Sequence, residues 1–434
     1  MIFHSNKNFK KHDLHNGTLW LAGWCDHAPG KLNHMFADHD IPDMKGQFGM
    51  VWQGNDGWWL AQCDHLCSYP LWYSEDGEHV FSLWSQATEY DEKIDETFYA
   101  QRDLLYGQMT VGSTTGRQDV KRIQPNWCVD RGTPTQYATS LKMNYDGPPE
   151  KEWGSILMEA VRKNCQSGDV LFLSGGRDST TIANIAHHLG IGLKYVHVTQ
   201  GKQNPDTESC REFASNIGIE VNYIDPWKDN IEYNEGDFWH DGSYAPKRQS
   251  LLNLDKKYGI TGELGASESG SKKINTILQM PDITIEQLTN IWITTLEARN
   301  ESVANKHIHD DYTVHSLEHK LYKRAYNDLI KFFEDVYARC QSETSDTHQL
   351  LKSIVMMHQQ DHESYRLFNY SQDPDLTWKH PFTDPIWFDI IMNAPLEQKK
   401  LHYHNREVYR IAAQDWDWFD TTAWNYGGPR GLKQ

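Results

Sequence analysis

The stretch Val170-Leu171-Phe172-Leu173-Ser174-Gly175-Gly176-Arg177-Asp178-Ser179-Thr180-Thr181 decides how this chain is read. An apolar run of strand length meets a Ser-Gly-Gly turn, and a segment of helical period starts at once. Ile182, Ile185, Ala186 and Leu189 fall at i, i+3, i+4 and i+7, with Gly190 as the stop. Strand, glycine turn and helix N-terminus together make an anion site. Glycines let the backbone approach a phosphate, successive N–H groups form a nest, and the helix dipole favours negative charge. Ser174, Ser179 and Thr180 add hydroxyl donors, and Asp178 has the hard oxygens that suit Mg²⁺. The Gly-Lys-Ser/Thr ending of a Walker loop is absent, which excludes that class of nucleotide site.

The flanks continue the strand–helix alternation. Upstream, Tyr145-Asp146-Gly147-Pro148-Pro149-Glu150 is a linker signal, followed by an amphipathic helix with Ile156, Leu157, Ala160 and Val161 on one face. Downstream, 194–198 is a strand. Asn204-Pro205-Asp206-Thr207 caps a helix whose Cys210, Phe213, Ala214 and Ile217 share a face. The pattern predicts a strand over 221–224, a helix over 245–258 and a strand end at Gly259-Ile260-Thr261. Repeated βα units imply a parallel sheet with its ligand at the carboxyl ends of the strands. The turn at 174–180 sits at such an end, and so does Thr261-Gly262-Glu263-Leu264-Gly265-Ala266-Ser267-Glu268. Lys272 and Lys273 follow, within reach of a phosphate or a carboxylate substrate, although lone lysines usually stand in solvent. Residues 282 to about 365 read as helical. Leu317, Leu321, Ala325, Leu329, Phe333, Val336 and Tyr337 form a long apolar stripe that reads as core.

Residues 1 to 145 read as all-β. Short segments at 18–24, 48–52, 58–62, 70–73 and 79–83 are divided by turn residues. Asn55-Asp56-Gly57 and Glu75-Asp76-Gly77 are hairpin signals. With 434 residues, 38% hydrophobic, 17 Trp and 21 Tyr, the chain has the material for two or three domains. A net charge of −18 argues against a broad nucleic-acid surface. No apolar run reaches 18 residues, so no membrane span is expected, and residues 1–7 lack a signal-peptide apolar segment. Seven scattered cysteines read as reduced thiols in a cytoplasmic protein. Cys63 and Cys67 flank His65, but no second Cys/His pair has matching spacing, and structural thiols are the reading.

The Ser174–Ser179 run resembles the Ser-Gly-Gly-x-Asp-Ser pyrophosphate loop (PP-loop) of enzymes that split ATP into AMP and pyrophosphate. Wider similarity points to the asparagine synthetase superfamily. Gly46-Gln47-Phe48-Gly49-Met50-Val51-Trp52 and Asp64 to Tyr73 are similar to late strands of its glutaminase domain. Arg122-Ile123-Gln124-Pro125-Asn126-Trp127-Cys128 is similar to the segment closing that domain, with Asn126 where glycine is usual. Thr261–Glu268 resembles the family's Gly-Glu-Gly turn with one residue inserted. Thr377-Trp378-Lys379-His380-Pro381-Phe382-Thr383-Asp384 resembles its Glu-x-Arg-x-Pro-Phe-Leu-Asp segment, with Thr377 for the glutamate and Lys379 for the arginine. The end, Asn425 to Gln434, is Gly-rich and basic, like the family's mobile loop. The resemblance implies an α/β chain of two domains. Residues 1–145 are expected as an antiparallel β-sandwich, a degenerate relative of the N-terminal-nucleophile (Ntn) hydrolases. Residues 150–434 are expected as a parallel-sheet synthetase domain of the adenine-nucleotide alpha-hydrolase type, carrying a helical insertion at about 282–365.

The resemblance also implies chemistry. ATP and Mg²⁺ are expected on Ser174, Gly175, Gly176, Asp178, Ser179 and Thr180, with Asp178 and Glu268 as metal ligands. Glu263 matches the family's base for the attacking amine, and Lys379 and Lys433 are expected to meet the developing charge. The family's nucleophile is an N-terminal Cys. Ile2 stands there instead and Cys25 is the earliest thiol, so glutaminase activity is expected to be absent. The expected activity is adenylation of a small-molecule or peptide carboxylate and its transfer to ammonia or an amine. β-Lactam synthetases and lasso-peptide cyclases, which use an internal amine, share that missing Cys. Two alternatives stay open: a nucleotide- or partner-binding protein of altered catalysis, and a pyrophosphate-loop enzyme that adenylates a tRNA base. Neither membrane nor nucleic-acid partners are expected, and the oligomeric state, a homo-oligomer included, is open.

Overall fold

A computed structural model of the chain describes residues 1–104, 112–137, 150–199, 205–225, 244–262, 284–287, 289–290, 320–341, 370, 373 and 375–393. In chain order the elements are β1 (Ile2–His4), β2 (Lys10–Leu14), β3 (Gly17–Cys25), α1 (Pro29–Ala37), β4 (Gly46–Gly54), β5 (Trp59–Cys63), β6 (Trp72–Ser74), β7 (His79–Phe81), α2 (Trp84–Tyr90), α3 (Glu96–Leu104), β8 (Val120–Arg122), β9 (Trp127–Asp130) and β10 (Thr133–Gln136). Then follow α4 (Glu150–Asn164), β11 (Val170–Phe172), α5 (Arg177–His188), β12 (Lys194–Val198), α6 (Pro205–Ile217), β13 (Val221–Ile224), α7 (Tyr244–Asn253), β14 (Tyr258–Ile260), α8 (Lys320–Gln341), β15 (Thr377–Lys379) and α9 (Pro385–Asn393). The fold is mixed α/β, with antiparallel pairing in the N-terminal region and a parallel sheet later. Two compact units emerge: Met1–Tyr145 with Gly270–Phe368, and Asp146–Ser269 with Asn369–Gln434. Of the linker signal, residues 145–149 lie outside the described residues.

The first unit has a six-stranded sheet, ordered β10-β9-β5-β4-β3-β2, and a four-stranded one, ordered β1-β7-β6-β8. Both expected hairpins form: Asn55-Asp56-Gly57 joins β4 to β5, and Glu75-Asp76-Gly77 joins β6 to β7. Gly57 has φ +87°, a conformation glycine enters without a side-chain clash. The sheets share a core of Val51, Trp59, Ala61 and Cys63 from the larger and Tyr73 and Val80 from the smaller. The opposite face of the larger sheet is also covered. Leu19, Met50, Trp52 and Leu60 pack there with Leu32 and Phe36 of α1. Every residue of β5 is therefore buried, where a two-layer sandwich would leave alternate positions in solvent.

Two expectations for this unit need correction. It is not all-β, because α1, α2 and α3 lie among its strands. Pro29 opens α1 with no side-chain cap, and α2 is capped by Gln86, whose Oε1 accepts the Leu83 N–H at 3.0 Å. Neither signal is a long apolar period. Nor is pairing wholly antiparallel, because β1 joins β7 in parallel, in the register Ile2↔His79 to His4↔Phe81. Asn126 has φ +62°. That left-handed region is least costly for glycine and then for Asn. The apolar stripe of α8 is core, with Ala325, Leu329, Phe333 and Val336 buried and the helix packed on α3. Leu317 and most of 282–365 lie outside the described residues.

In the second unit five strands run parallel in the order β13-β12-β11-β14-β15. Val170, Phe172, Val196, Leu251 and Leu376 form a core beneath them. The expected helix faces are buried on α4 (Leu157, Ala160, Val161), α5 (Ile182, Ile185, Ala186) and α6 (Cys210, Phe213, Ala214). The helix expected over 245–258 stops at Asn253, because Asp255 turns the chain at φ +49° and Tyr258 begins β14. β15 had no period to announce it; its three residues become a strand by pairing with β14. Asp384 caps α9: its Oδ1 accepts the N–H groups of Ile386 (3.1 Å) and Trp387 (3.4 Å), ahead of Pro385 at the first helical position.

Candidate functional site

The strand order of the second unit marks out a candidate site. From β11 the chain winds to β12 and β13 on one side, then returns to β14 and β15 on the other. Such a reversal leaves a crevice at the carboxyl ends of the two central strands. The 174–180 turn leaves β11 there, and Thr261 and Gly262 leave β14 beside it. A Cβ on Gly262 would lie 2.8 Å from the Ser179 nitrogen and 3.2 Å from Asp178 Cβ, so its backbone rests on the first turn of α5.

Within the turn the hydroxyls bond to one another and to the backbone. The Ser174 N–H donates to Ser179 Oγ at 2.9 Å, and the two serine hydroxyls share a bond of 2.9 Å. The Gly176 N–H donates to Ser174 Oγ at 3.1 Å, and the Thr180 hydroxyl donates to the Gly176 carbonyl at 3.0 Å. These side chains shape the turn from within. The N–H groups of Arg177, Asp178 and Ser179 open α5 with no helical carbonyl four residues back, and such N–H groups can serve an anion. Asp178 is half-buried in that same first turn.

Helix α6 holds the turn from the side. The Gly175 N–H donates to Asp206 Oδ1 at 2.7 Å. His197, buried at the end of β12, places Nδ1 2.7 Å from the Leu173 carbonyl and Nε2 3.0 Å from Thr207 Oγ1. A carbonyl only accepts, so Nδ1 carries the proton and the threonine hydroxyl donates to Nε2. Burial favours the neutral forms, lowering the His197 pKa and raising that of Asp206. Across the crevice, His380 Nδ1 lies 2.8 Å from Thr261 Oγ1, and its ring meets Tyr370 edge-on. The Lys247 ammonium donates to Tyr370 Oη at 2.7 Å.

Ser174, Gly175, Gly176, Asp178, Ser179 and Thr180 are thus brought together, and Lys379 is not. Its ammonium donates to Asp169 Oδ2 at 2.7 Å and lies over the Tyr258 ring. Asp169 precedes β11, at the opposite end from the turn, roughly 15 Å away along an extended strand. Glu263, Glu268 and Lys433 lie outside the described residues, as do Lys272, Lys273 and the tail at 425–434. Among the described residues no group of three or more His, Cys, Asp or Glu is clustered for a metal. Mg²⁺ does not need one, since it takes one or two carboxylates together with substrate phosphates and water. A single hard carboxylate at Asp178, beside backbone anion donors, fits that demand.

The sequence reading gave no site role to Asp206, His197, Thr261 or His380, although Asp206, Thr261 and His380 stand in segments that it singled out. Asp206 and His197 had a signal, because His197 lies at the carboxyl end of the next parallel strand, β12, and Asp206 opens the helix that follows it. His380 stands in the Thr377–Asp384 segment, but at one of its variable positions, and β15 is defined only by pairing. In the first unit, burial pushes the thiols of Cys25, Cys67 and Cys128 up, the last to about 12. The Cys25 Sγ–H donates to the His27 carbonyl at 3.2 Å. Among the described residues no helix is long and apolar enough to cross a membrane. No protein-family model matches the chain, and no curated protein matches it in sequence.

Proposed function

We propose that the chain is an AMP-forming carbon–nitrogen ligase of the asparagine synthetase type. In this reading the first unit is a degenerate Ntn-like sandwich and the second a PP-loop synthetase. One observation carries the proposal: the Ser-Gly-Gly-x-Asp-Ser turn opens α5 at the switch point of a parallel sheet. The N–H groups at 177–179 bind the β- and γ-phosphates of ATP. A substrate carboxylate oxygen attacks the α-phosphorus, the bond to the bridging oxygen breaks, and pyrophosphate leaves with that electron pair. Ammonia or an amine then attacks the acyl carbon, AMP leaves, and Glu263 takes the surplus proton. Asp178 would hold Mg²⁺, which neutralises charge on the departing pyrophosphate.

Glutamine has no part in this chemistry. A glutaminase needs an available thiolate, and burial pushes the thiols of Cys25, Cys67 and Cys128 up, which disfavours that form. Free thiols suit a cytoplasmic setting. A second reading, a nucleotide-binding protein without turnover, draws on Lys379, whose charge is spent on Asp169. Pyrophosphate release separates the two. With a panel of amino and dicarboxylic acids, ammonium or an amine should release pyrophosphate and AMP in equal amounts, and glutamine alone should release none. Release driven by glutamine would contradict the absence of a glutaminase. ATP binding without pyrophosphate under any condition would favour the second reading.

A further inference from the structure

The N–H of Gly175, the first glycine of the turn, is already taken. It points at Asp206 Oδ1, 2.7 Å away. The contact is tight on the carbon side as well, because a Cβ on Gly175 would stand 2.4 Å from the Asp206 carbonyl oxygen and 2.7 Å from Ser209 Cβ. On the other side of Ser174, the Leu173 carbonyl is held through His197, whose second nitrogen receives the Thr207 hydroxyl. The first turn of α6 therefore grips both the carbonyl that enters the turn and the N–H that follows it. An anion cannot use Gly175 as a donor unless Asp206 leaves. The aspartate thereby directs the phosphates onward, to the N–H groups that open α5.

We infer that Asp206 is a positioning residue for the phosphate turn, acting as the hydrogen-bond acceptor of the Gly175 N–H and not as a metal ligand. The inference rests on the phosphate reading of residues 174–180 given above. It carries a consequence for charge. A carboxylate set beside a bound polyphosphate repels it, and a divalent cation offsets that repulsion. Asp206 thus adds to the Mg²⁺ dependence of binding without touching the metal. Asn retains the accepting oxygen and removes the charge, whereas Ala removes both.

Calorimetric titration of the full-length protein with inorganic pyrophosphate and with ATP, each with and without Mg²⁺, tests this. D206A should weaken binding of both probes by roughly tenfold, the cost of one hydrogen bond to a charged group. D206N should bind both with Mg²⁺ within about threefold of the wild type, and should bind Mg²⁺-free pyrophosphate more tightly than the wild type does. If D206N is as weak as D206A, the charge and not the acceptor matters, and the inference fails. It fails equally if D206A binds like the wild type. Should D206A not fold, the wild type and D206N decide alone: equal or tighter binding supports the inference, and a tenfold loss overturns it. If the wild type binds neither probe, the phosphate reading itself falls and takes this inference with it.

Discussion

Asp178→Asn is expected to cut pyrophosphate release by roughly a thousandfold, the scale for losing a preorganised electrostatic partner of the transition state. The fold should survive. Asp178 is half-buried in the first turn of α5, and Asn nearly matches its shape. The helix loses a favourable interaction between the acid and its dipole, worth about 0.3–1 kcal/mol. The amide oxygen is a poorer ligand for Mg²⁺ and carries no charge. Turnover therefore collapses while the melting temperature barely moves, and steady-state kinetics beside a thermal melt reads both. A variant of normal activity would remove Asp178 from the chemistry.

Gly175→Ala is expected to cost about a tenth as much, still a large loss, for a different reason. The obstacle to its Cβ is the Asp206 carbonyl oxygen at 2.4 Å. That atom is backbone and has no rotamer with which to yield. The turn must retreat from α6, and a displacement of about 1 Å at a reacting centre costs roughly 100-fold in kcat/KM. Gly176→Ala is the built-in comparison. Its Cβ meets only Ser174 Oγ, at 3.1 Å, a side-chain atom that need give only slightly. The loss should be clearly smaller at 176 than at 175. Equal losses would mean that glycine matters here for flexibility and not for the close approach to α6.

What the sequence revealed tracks how local each interaction is. The turn, the strand before it and the helix after it need only neighbours in the chain, and 170–190 forms as its pattern predicts. The same holds for the hairpins around Gly57 and Gly77, where one turn joins two adjacent strands. Non-local pairings were hidden. β1 meets β7 across more than seventy residues, and β15 becomes a strand only beside β14. The motif residues divide in the same way. Ser174 and Ser179 read as hydroxyl donors in a linear sequence, and their bond to each other appears only in the fold. Lys379 reads as a site cation by position in its motif, yet side-chain direction carries it to Asp169. Asp206 read as an ordinary helix-start residue, and its grip on Gly175 appears only when β11 and β12 lie side by side.

A structure of the protein with ATP and Mg²⁺ tests the site most directly. The β- and γ-phosphate oxygens should lie about 3 Å from the N–H groups of Arg177, Asp178 or Ser179. The α-phosphate should face the crevice between the 174–180 turn and Gly262. Nucleotide bound elsewhere, with the turn still closed on itself through Ser174 and Ser179, would contradict the reading of this turn as a pyrophosphate site.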